Sequence, residues 1–307
     1  MLPVLEPVIV FGGGGQVGLE VSDLAQSLSA SNSSLSIMTF NSQAGDITNE
    51  DLIRNIFTEQ HPACVINCAA YTAVDKAESE APQAFAVNRD GAANLARCCK
   101  TFNIPLLHVS TDYVFDGEQS TPYRESDATH PLNVYGESKL QGEQAIREIL
   151  EQHIILRTSW VFGQYGNNFV KTMLRLAQDR EELGIVADQT GCPTPACAIA
   201  QTLVAISQRV LAGEALAWGT YHYAGSPSLS WFDFATHIFQ LAHEISGMKI
   251  PHLNPIPTSA YPTPAQRPQQ TIMECDKIKR VFGIEPANWQ AELRTVIESL
   301  YTQGRFG

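Results

Sequence analysis

Short apolar runs alternate with stretches whose apolar residues recur three and four positions apart through the first half of the chain. Residues 7–11 read as a buried strand and 19–28 as an amphipathic helix. Further strands are expected over 35–40, 64–72, 105–109 and 154–162, with a helical stretch over 81–100 that contains Asn88. Strand and helix in alternation predict an α/β fold, a Rossmann-type doubly wound parallel sheet. From about residue 163 the alternation weakens, and turn-rich stretches such as 188–194 and the proline-stiffened 261–268 take over. The expected division is a Rossmann domain over 1–162 and, over 163–307, mainly a smaller C-terminal α/β domain with room for segments to return to the sheet.

Candidate chemistry begins at the first strand–helix junction. Gly12, Gly15 and Gly18 fit Gly-x-x-Gly-x-x-Gly there. Bare backbone lets a pyrophosphate approach, and the helix N-terminus supplies N–H groups and partial positive charge. Residues 1–162 are therefore read as a dinucleotide-binding domain. At the tip of the second strand, Phe40-Asn41-Ser42 offers neither an acid for a ribose 2′-hydroxyl nor an arginine for a 2′-phosphate. NADH and NADPH both stay open. Asp46 reads either as an acceptor for an adenine amino group or as the N-cap of the helix beginning near Glu50. The 64–72 strand ends in small residues, which allow a cofactor to lie close over its end. Asp75, Lys76 and Glu78 read as a solvated helix start.

Tyr135 and Lys139 stand four residues apart in a helical run, so they share one face. A free phenol titrates near pH 10, and a nearby cation brings it toward acid/base range. The strand over 105–109 exits into Ser110-Thr111-Asp112-Tyr113, at the carboxyl end where open parallel sheets bind ligands. That position lets Thr111 meet the Tyr135/Lys139 pair, which points to catalysis.

Composition narrows the partners. The 307 residues carry a formal net charge of −12, with 44% hydrophobic and 17% charged residues. This acidity argues against a nucleic-acid backbone or an anionic membrane as the main partner. No apolar run reaches the ~18 residues of a membrane span, and nothing near the start resembles a signal peptide. A cytoplasmic location is expected. The seven cysteines form no Cys-x-x-Cys pair and read as buried free thiols, neither metal ligands nor disulfides.

Several motifs then coincide in order. They are Gly-Gln-Val-Gly at 15–18, Ala-Ala-Tyr-Thr-Ala-Val-Asp-Lys-Ala-Glu at 69–78, Ser-Thr-Asp-Tyr-Val-Phe at 110–115 and Pro-Leu-Asn-Val-Tyr-Gly at 131–136. Arg-Thr-Ser-Trp-Val at 157–161, Gly-Asn-Asn-Phe at 166–169, Asp-Gln at 188–189, Pro-Thr at 193–194 and Pro-Thr-Ser-Ala-Tyr-Pro-Thr-Pro-Ala at 257–265 complete the set. With them the chain resembles the extended short-chain dehydrogenase/reductases, and more closely the dTDP-4-dehydrorhamnose reductase family.

The resemblance implies reduction of the C4 keto group of dTDP-4-dehydro-β-L-rhamnose by NADPH or NADH, with Thr111, Tyr135 and Lys139 as the catalytic residues and Tyr135 as proton donor. It sets the cofactor against Gly15, Gln16, Val17, Asp46, Ile47, Ala70, Tyr71 and Thr72, and has Lys139 bond the nicotinamide ribose. The sugar nucleotide would meet Thr111, Asp112 and Trp160, with Asn168 and Arg267 on its pyrophosphate. An arginine fork suits phosphate oxygens; for Trp160, core packing is the other reading. Related 4,6-dehydratases carry Thr-Asp-Glu where this chain has Thr111-Asp112-Tyr113, and the missing glutamate favours plain reduction. Some members bind magnesium through glutamates at a dimer interface. Glu20 matches one such position, but a second falls in Thr194-Pro-Ala-Cys197, which has no acid. No metal is expected, and a homodimer stays open. Two other activities stay in view: a reductase or epimerase for another nucleotide sugar, and a non-catalytic regulatory chain.

Overall fold

The computed structural model describes residues 6–30 and 35–304. Its first half runs β1 (Val8–Phe11), α1 (Gln16–Ala30), β2 (Ile37–Phe40), α2 (Glu50–Gln60), β3 (Cys64–Asn67), α3 (Ala92–Phe102), β4 (Leu106–Thr111), α4 (Val134–Ile149) and β5 (His153–Thr158). The second half contributes α5 (Phe169–Asp179), β6 (Glu182–Val186), α6 (Ala196–Leu211), β7 (Gly219–His222), α7 (Trp231–Ser246), β8 (His252–Ile256) and α8 (Trp289–Thr302). Six parallel strands form one sheet in the order β7-β5-β4-β3-β1-β2. The expected doubly wound α/β fold is therefore present.

The direction of strand addition reverses at β1, which has β2 on one side and β3 on the other. Such a switch point opens a crevice beyond the strand carboxyl ends. All of β1 is buried because successive side chains serve opposite faces, each covered by helices. Val8 and Val10 pack with Ile66 beneath Val21 of α1 and Leu203 of α6. Ile9 and Phe11 pack with Val65 against Ile53 of α2, Leu95 of α3 and Ile146 of α4. A third core joins Phe162, Leu174, Ile185, Phe239, Trp289 and Ile297, uniting α5, β6, α7 and α8 in the second lobe.

Two segments from beyond residue 163 complete the first lobe. Helix α6 covers the face shared with α1, and β7 pairs with β5 through Gly219↔Ile154 to His222↔Arg157. The helical run expected over 81–100 is broken by a π-helical segment, Ala86–Gly91, between Ala81–Phe85 and α3. Segments of this kind recur at functional sites; here it holds Asn88 in the interior, 1% exposed. All seven cysteines are free thiols, with Cys68 and Cys197 half-buried and the rest buried. Among the described residues no helix is long and apolar enough to cross a membrane.

Candidate active site

The crevice opens over Gly12, which has φ +84° and leaves no room for a side chain. A Cβ there would lie 2.4 Å from Ala69 N, at the end of β3. This close approach brings the glycine turn and the β3 exit together. Gly15 N donates to Gly12 O at 3.0 Å, and Gly18 packs over the same carbonyl. Val17 is buried below. The first N–H groups of α1 have no intrahelical partner and face outward from this turn. Gln16 links the turn to the second lobe, its Oε1 accepting from Asn168 Nδ2 at 2.9 Å.

A cleft of about 450 Å³ runs from Gly12 and Gly15 past Asn41, Asp46 and Ile47 to Ala70 and Tyr71. Asp46 is not the N-cap of α2. Asn49 fills that place, accepting from Leu52 N at 3.1 Å, while Asp46 Oδ1 accepts from Thr48 N and Oγ1. Asn94 holds the loop by donating to Ile47 O at 2.9 Å and Thr48 O at 3.1 Å. Asn88 clasps the opposite wall: Oδ1 accepts from Tyr71 N at 2.8 Å and Nδ2 donates to Tyr71 O at 3.0 Å. The same Nδ2 reaches Ser138 Oγ on α4 at 2.9 Å, so the 70–71 loop and α4 move as one. Thr72 lies exposed on that loop. Bare glycine backbone, unpaired helix N–H groups and an adjoining cleft fit a dinucleotide.

At the carboxyl end of β4, Thr111 is 5% exposed and Asp112 is 2% exposed. Thr111 Oγ1 donates to Asp112 Oδ1 at 3.1 Å and lies within hydrogen-bonding reach of the Tyr135 phenol. Helix α4 starts at the right place because Asn133 caps it, accepting from Gly136 N at 2.8 Å. Burial pushes Tyr135 up to about 12; the Thr111 hydrogen bond opposes this and the Asp112 charge adds to it. The expected lowering by Lys139 is absent from this balance. Lys139, 2% exposed, points its amine into β4, donating to Val109 O at 2.7 Å and meeting His108 Nε2 at 3.3 Å. Burial brings its own value down to about 8. Asp112 is raised to about 6 by burial, with the nearby Thr271 hydroxyl and the Thr111 hydrogen bond opposing; its Oδ2 has no hydrogen-bond partner among the described residues.

Tyr113, where the dehydratases carry glutamate, sets its ring edge-on to Tyr135 with centroids 5.6 Å apart. Arg267 lies close to its hydroxyl. Asp75 is not simply solvated: it takes Arg267 in a fork, NH1 to Oδ1 at 3.1 Å and NH2 to Oδ2 at 2.9 Å. That pairing holds the Asp75 carboxyl below its ordinary range and pins the proline loop over the site. Trp160, at φ +46°, is half-buried and stacks face to face on Trp231 with centroids 3.4 Å apart. Asn168 keeps its side chain engaged within the fold. It caps α5 through Lys171 N and donates to Gln16 Oε1 and Gly163 O, all at the glycine turn.

Below the site, Glu143 is fully buried and accepts from Ser110 at 2.6 Å, from Arg157 at 2.9 and 2.7 Å and from Arg147 at 3.0 Å. These bonds brace α4 against β4 and β5. Near α1, Glu20 is raised to about 7 by burial, with Asp23 and Glu292 adding and Gln164 opposing. Cys197 Sγ donates to Glu292 Oε2 at 3.4 Å. A thiol is a poor partner for magnesium, which wants oxygen. No group of three or more acidic, histidine or cysteine side chains is arranged to hold a metal among the described residues. Asn88 and Asp75 were named from sequence without these roles, and Asn94, Trp231 and the Glu143–Arg157 pair were missed. Of these only Asn88 had a local signal, a polar residue inside an otherwise apolar helix face.

The family profile described as "RmlD substrate binding domain" matches residues 6–302. A dTDP-4-dehydrorhamnose reductase of Aggregatibacter actinomycetemcomitans is 44% identical over 290 residues, covering 94% of this chain and 97% of its own. Its counterpart in Escherichia coli K12 is 38% identical over 300 residues, covering 96% and 98%. The solved dTDP-4-dehydrorhamnose reductase of Bacillus anthracis in complex with NADP superposes with a TM-score of 0.86 at 35% identity, covering 96% of this chain and all of that one. By profile, identity and fold alike, the chain belongs to the dTDP-4-dehydrorhamnose reductase family.

Proposed function

We propose that the protein reduces the C4 keto group of dTDP-4-dehydro-β-L-rhamnose to give dTDP-L-rhamnose, with NADPH or NADH as reductant. The observation that carries this reading is the pair of hydroxyls, Thr111 and Tyr135, held together at the carboxyl end of β4 beside the glycine turn. When bound, the reduced nicotinamide supplies hydride to C4. Gly15, Gln16 and Val17 would hold its pyrophosphate, Asp46 and Ile47 its adenosine, and Ala70 to Thr72 the passage between, with Lys139 near the nicotinamide ribose. Tyr135 Oη gives a proton to the C4 oxygen as the alkoxide forms, and Thr111 Oγ1 turns its one hydrogen from Asp112 Oδ1 to that oxygen. A phenol raised to about 12 is protonated at neutral pH, which is the form a donor needs. Tyr113 stands where the dehydratases carry the glutamate that serves elimination of water, which favours plain reduction.

Arg267 and Trp160 are assigned to the nucleotide sugar. The guanidinium already accommodates a two-oxygen acid in Asp75, and a diphosphate presents similar oxygens. Asn168 is left out of this group because its amide is engaged in the fold. Both reactants are cytoplasmic metabolites, and we place the protein there. The test is turnover of the dTDP-keto-sugar followed by the absorbance of NADPH or NADH. Tyr135→Phe should fold, bind cofactor and lose at least about a hundredfold in turnover. Near-normal turnover of that variant would remove Tyr135 as donor. Absence of oxidation by the unaltered protein with cofactor bound would remove the reductase reading itself.

A further inference from the structure

A buried polar chain behind the phenol has a direction that the side chains themselves enforce. It begins at the Ala69 backbone N–H, which donates to Asn67 Oδ1 at 2.9 Å. A backbone N–H can only donate, so this contact fixes the carboxamide and turns Asn67 Nδ2 toward His108 Nδ1, 2.9 Å away. An amide nitrogen also only donates. His108 Nδ1 must then be bare, and a neutral ring carries its hydrogen on Nε2. That nitrogen faces Lys139 Nζ at 3.3 Å. An ammonium has three hydrogens and no lone pair, so it cannot accept this N–H, whereas a neutral amine can. Asn67 and His108 are each 1% exposed and Lys139 is 2% exposed, so a misdirected hydrogen between them is left without a partner. Flipping Asn67 offers no escape, since Nδ2 would then meet the Ala69 N–H, donor against donor.

We infer that Asn67 and His108 are positioning residues for the reduction: by aiming an N–H at Lys139 they favour its neutral amine over its ammonium. The inference rests on Lys139 serving the reaction proposed above. Each turnover leaves a phenolate at Tyr135, which must regain a proton. Lys139 as ammonium gives up that proton and becomes an amine, the His108 N–H then bonds its lone pair, and solvent later restores the ammonium. Favouring the amine makes the Lys139 ammonium a stronger proton donor to the phenolate. The surroundings agree in direction. Burial lowers Lys139, with Glu143 from α4 and Cys68 beyond β3 opposing. His108 is kept neutral by burial, by Lys139 and by His153 from β5.

The test reads the ring directly. The protein labelled with ¹⁵N-histidine and loaded with NADP is examined by long-range ¹H–¹⁵N correlation, with His108 assigned from a His108→Gln variant. The expected result is a hydrogen on Nε2 and a bare Nδ1; a hydrogen on Nδ1, or on both nitrogens, overturns the inference. In Asn67→Asp a carboxylate accepts from both Ala69 N–H and His108 Nδ1, so the ring should reverse and offer Nε2 as an acceptor. The alkaline limb of the kcat profile should then move up by about one pH unit or more. His108→Phe, which deletes the N–H, should move it in the same direction. An unmoved limb in both variants, or a moved limb in Asn67→Asp with the hydrogen still on Nε2, refutes the directional mechanism. The ring assignment does not depend on turnover, so its failure is distinct from failure of the reductase reading.

Discussion

Glu20 offers a stability prediction whose size follows from its surroundings. It lies on α1, 8% exposed, with Asp23 one turn on and Glu292 from α8 facing it. Burial, helped by those two acids, raises its carboxyl from 4.5 to about 7. The folded protein therefore binds more protons at this site than the unfolded chain between those two values. Stability from this group is present below about 4.5, falls as pH rises, and the penalty is complete above about 7. At about 1.36 kcal/mol per pH unit, the penalty reaches about 3 kcal/mol at pH 8. Glu20→Gln keeps the shape and an acceptor for Gln164 but cannot ionise. Urea unfolding of both proteins at pH 5 and pH 8 isolates the effect, because titrating groups that do not face Glu20 cancel in the difference. The variant should gain about 2–3 kcal/mol over the unaltered protein at pH 8 and much less at pH 5. A difference that does not change with pH, or a variant that is weaker at pH 8, would refute the reasoning.

Two further outcomes follow from contacts across the fold. Arg157→Met leaves the Glu143 carboxylate fully buried with only Ser110 and Arg147 as partners, and should cost about 3–5 kcal/mol in denaturant unfolding. Adding Glu143→Leu should return part of that loss, and a double variant as weak as the sum of both singles would count against the pair. In Gly191→Ala the new Cβ would lie 2.5 Å from the Trp160 ring, so the indole must leave its stack on Trp231. Steady-state kinetics should show KM for the nucleotide sugar rising about threefold to tenfold with kcat little changed; an unchanged KM would take Trp160 out of the substrate site.

How much of this was legible in the residues depended on distance along the chain. The sheet could be read because each apolar run records burial on both faces of one strand, as in β1. The glycine turn could be read because Gly12 and the start of α1 lie within one short segment. Tyr135 and Lys139 share a face for the simple reason that they are one helical turn apart. The same local reading left out the lysine's other partners. Helix spacing brings the amine near the phenol, but the Val109 carbonyl that takes its hydrogen is set by how α4 crosses β4. Asp46 and Asn49 are both plausible caps three residues apart, and the choice falls to Asn49, whose side chain meets Leu52 N.

Arg267 lies 192 residues from Asp75, and nothing near either position announces the fork between them. The sequence leaves room for segments beyond residue 163 to return to the sheet, but which ones, α6 and β7, could not be read, because amphipathicity says that a face is buried and not which layer buries it. The physical division is therefore between apolar patterning and polar pairing. Apolar patterning is periodic, tolerant of exchange and repeated along each element, so it survives in one sequence. A polar pair is a single event between two crossing elements, and its two members carry no shared signal until the fold brings them within 3 Å. In this chain the proposed reaction depends on both. The periodic part builds the crevice, and pairs such as Asn67–His108, Asn88–Ser138 and Asp75–Arg267 set which atoms inside it can give or take a proton or hold a charge.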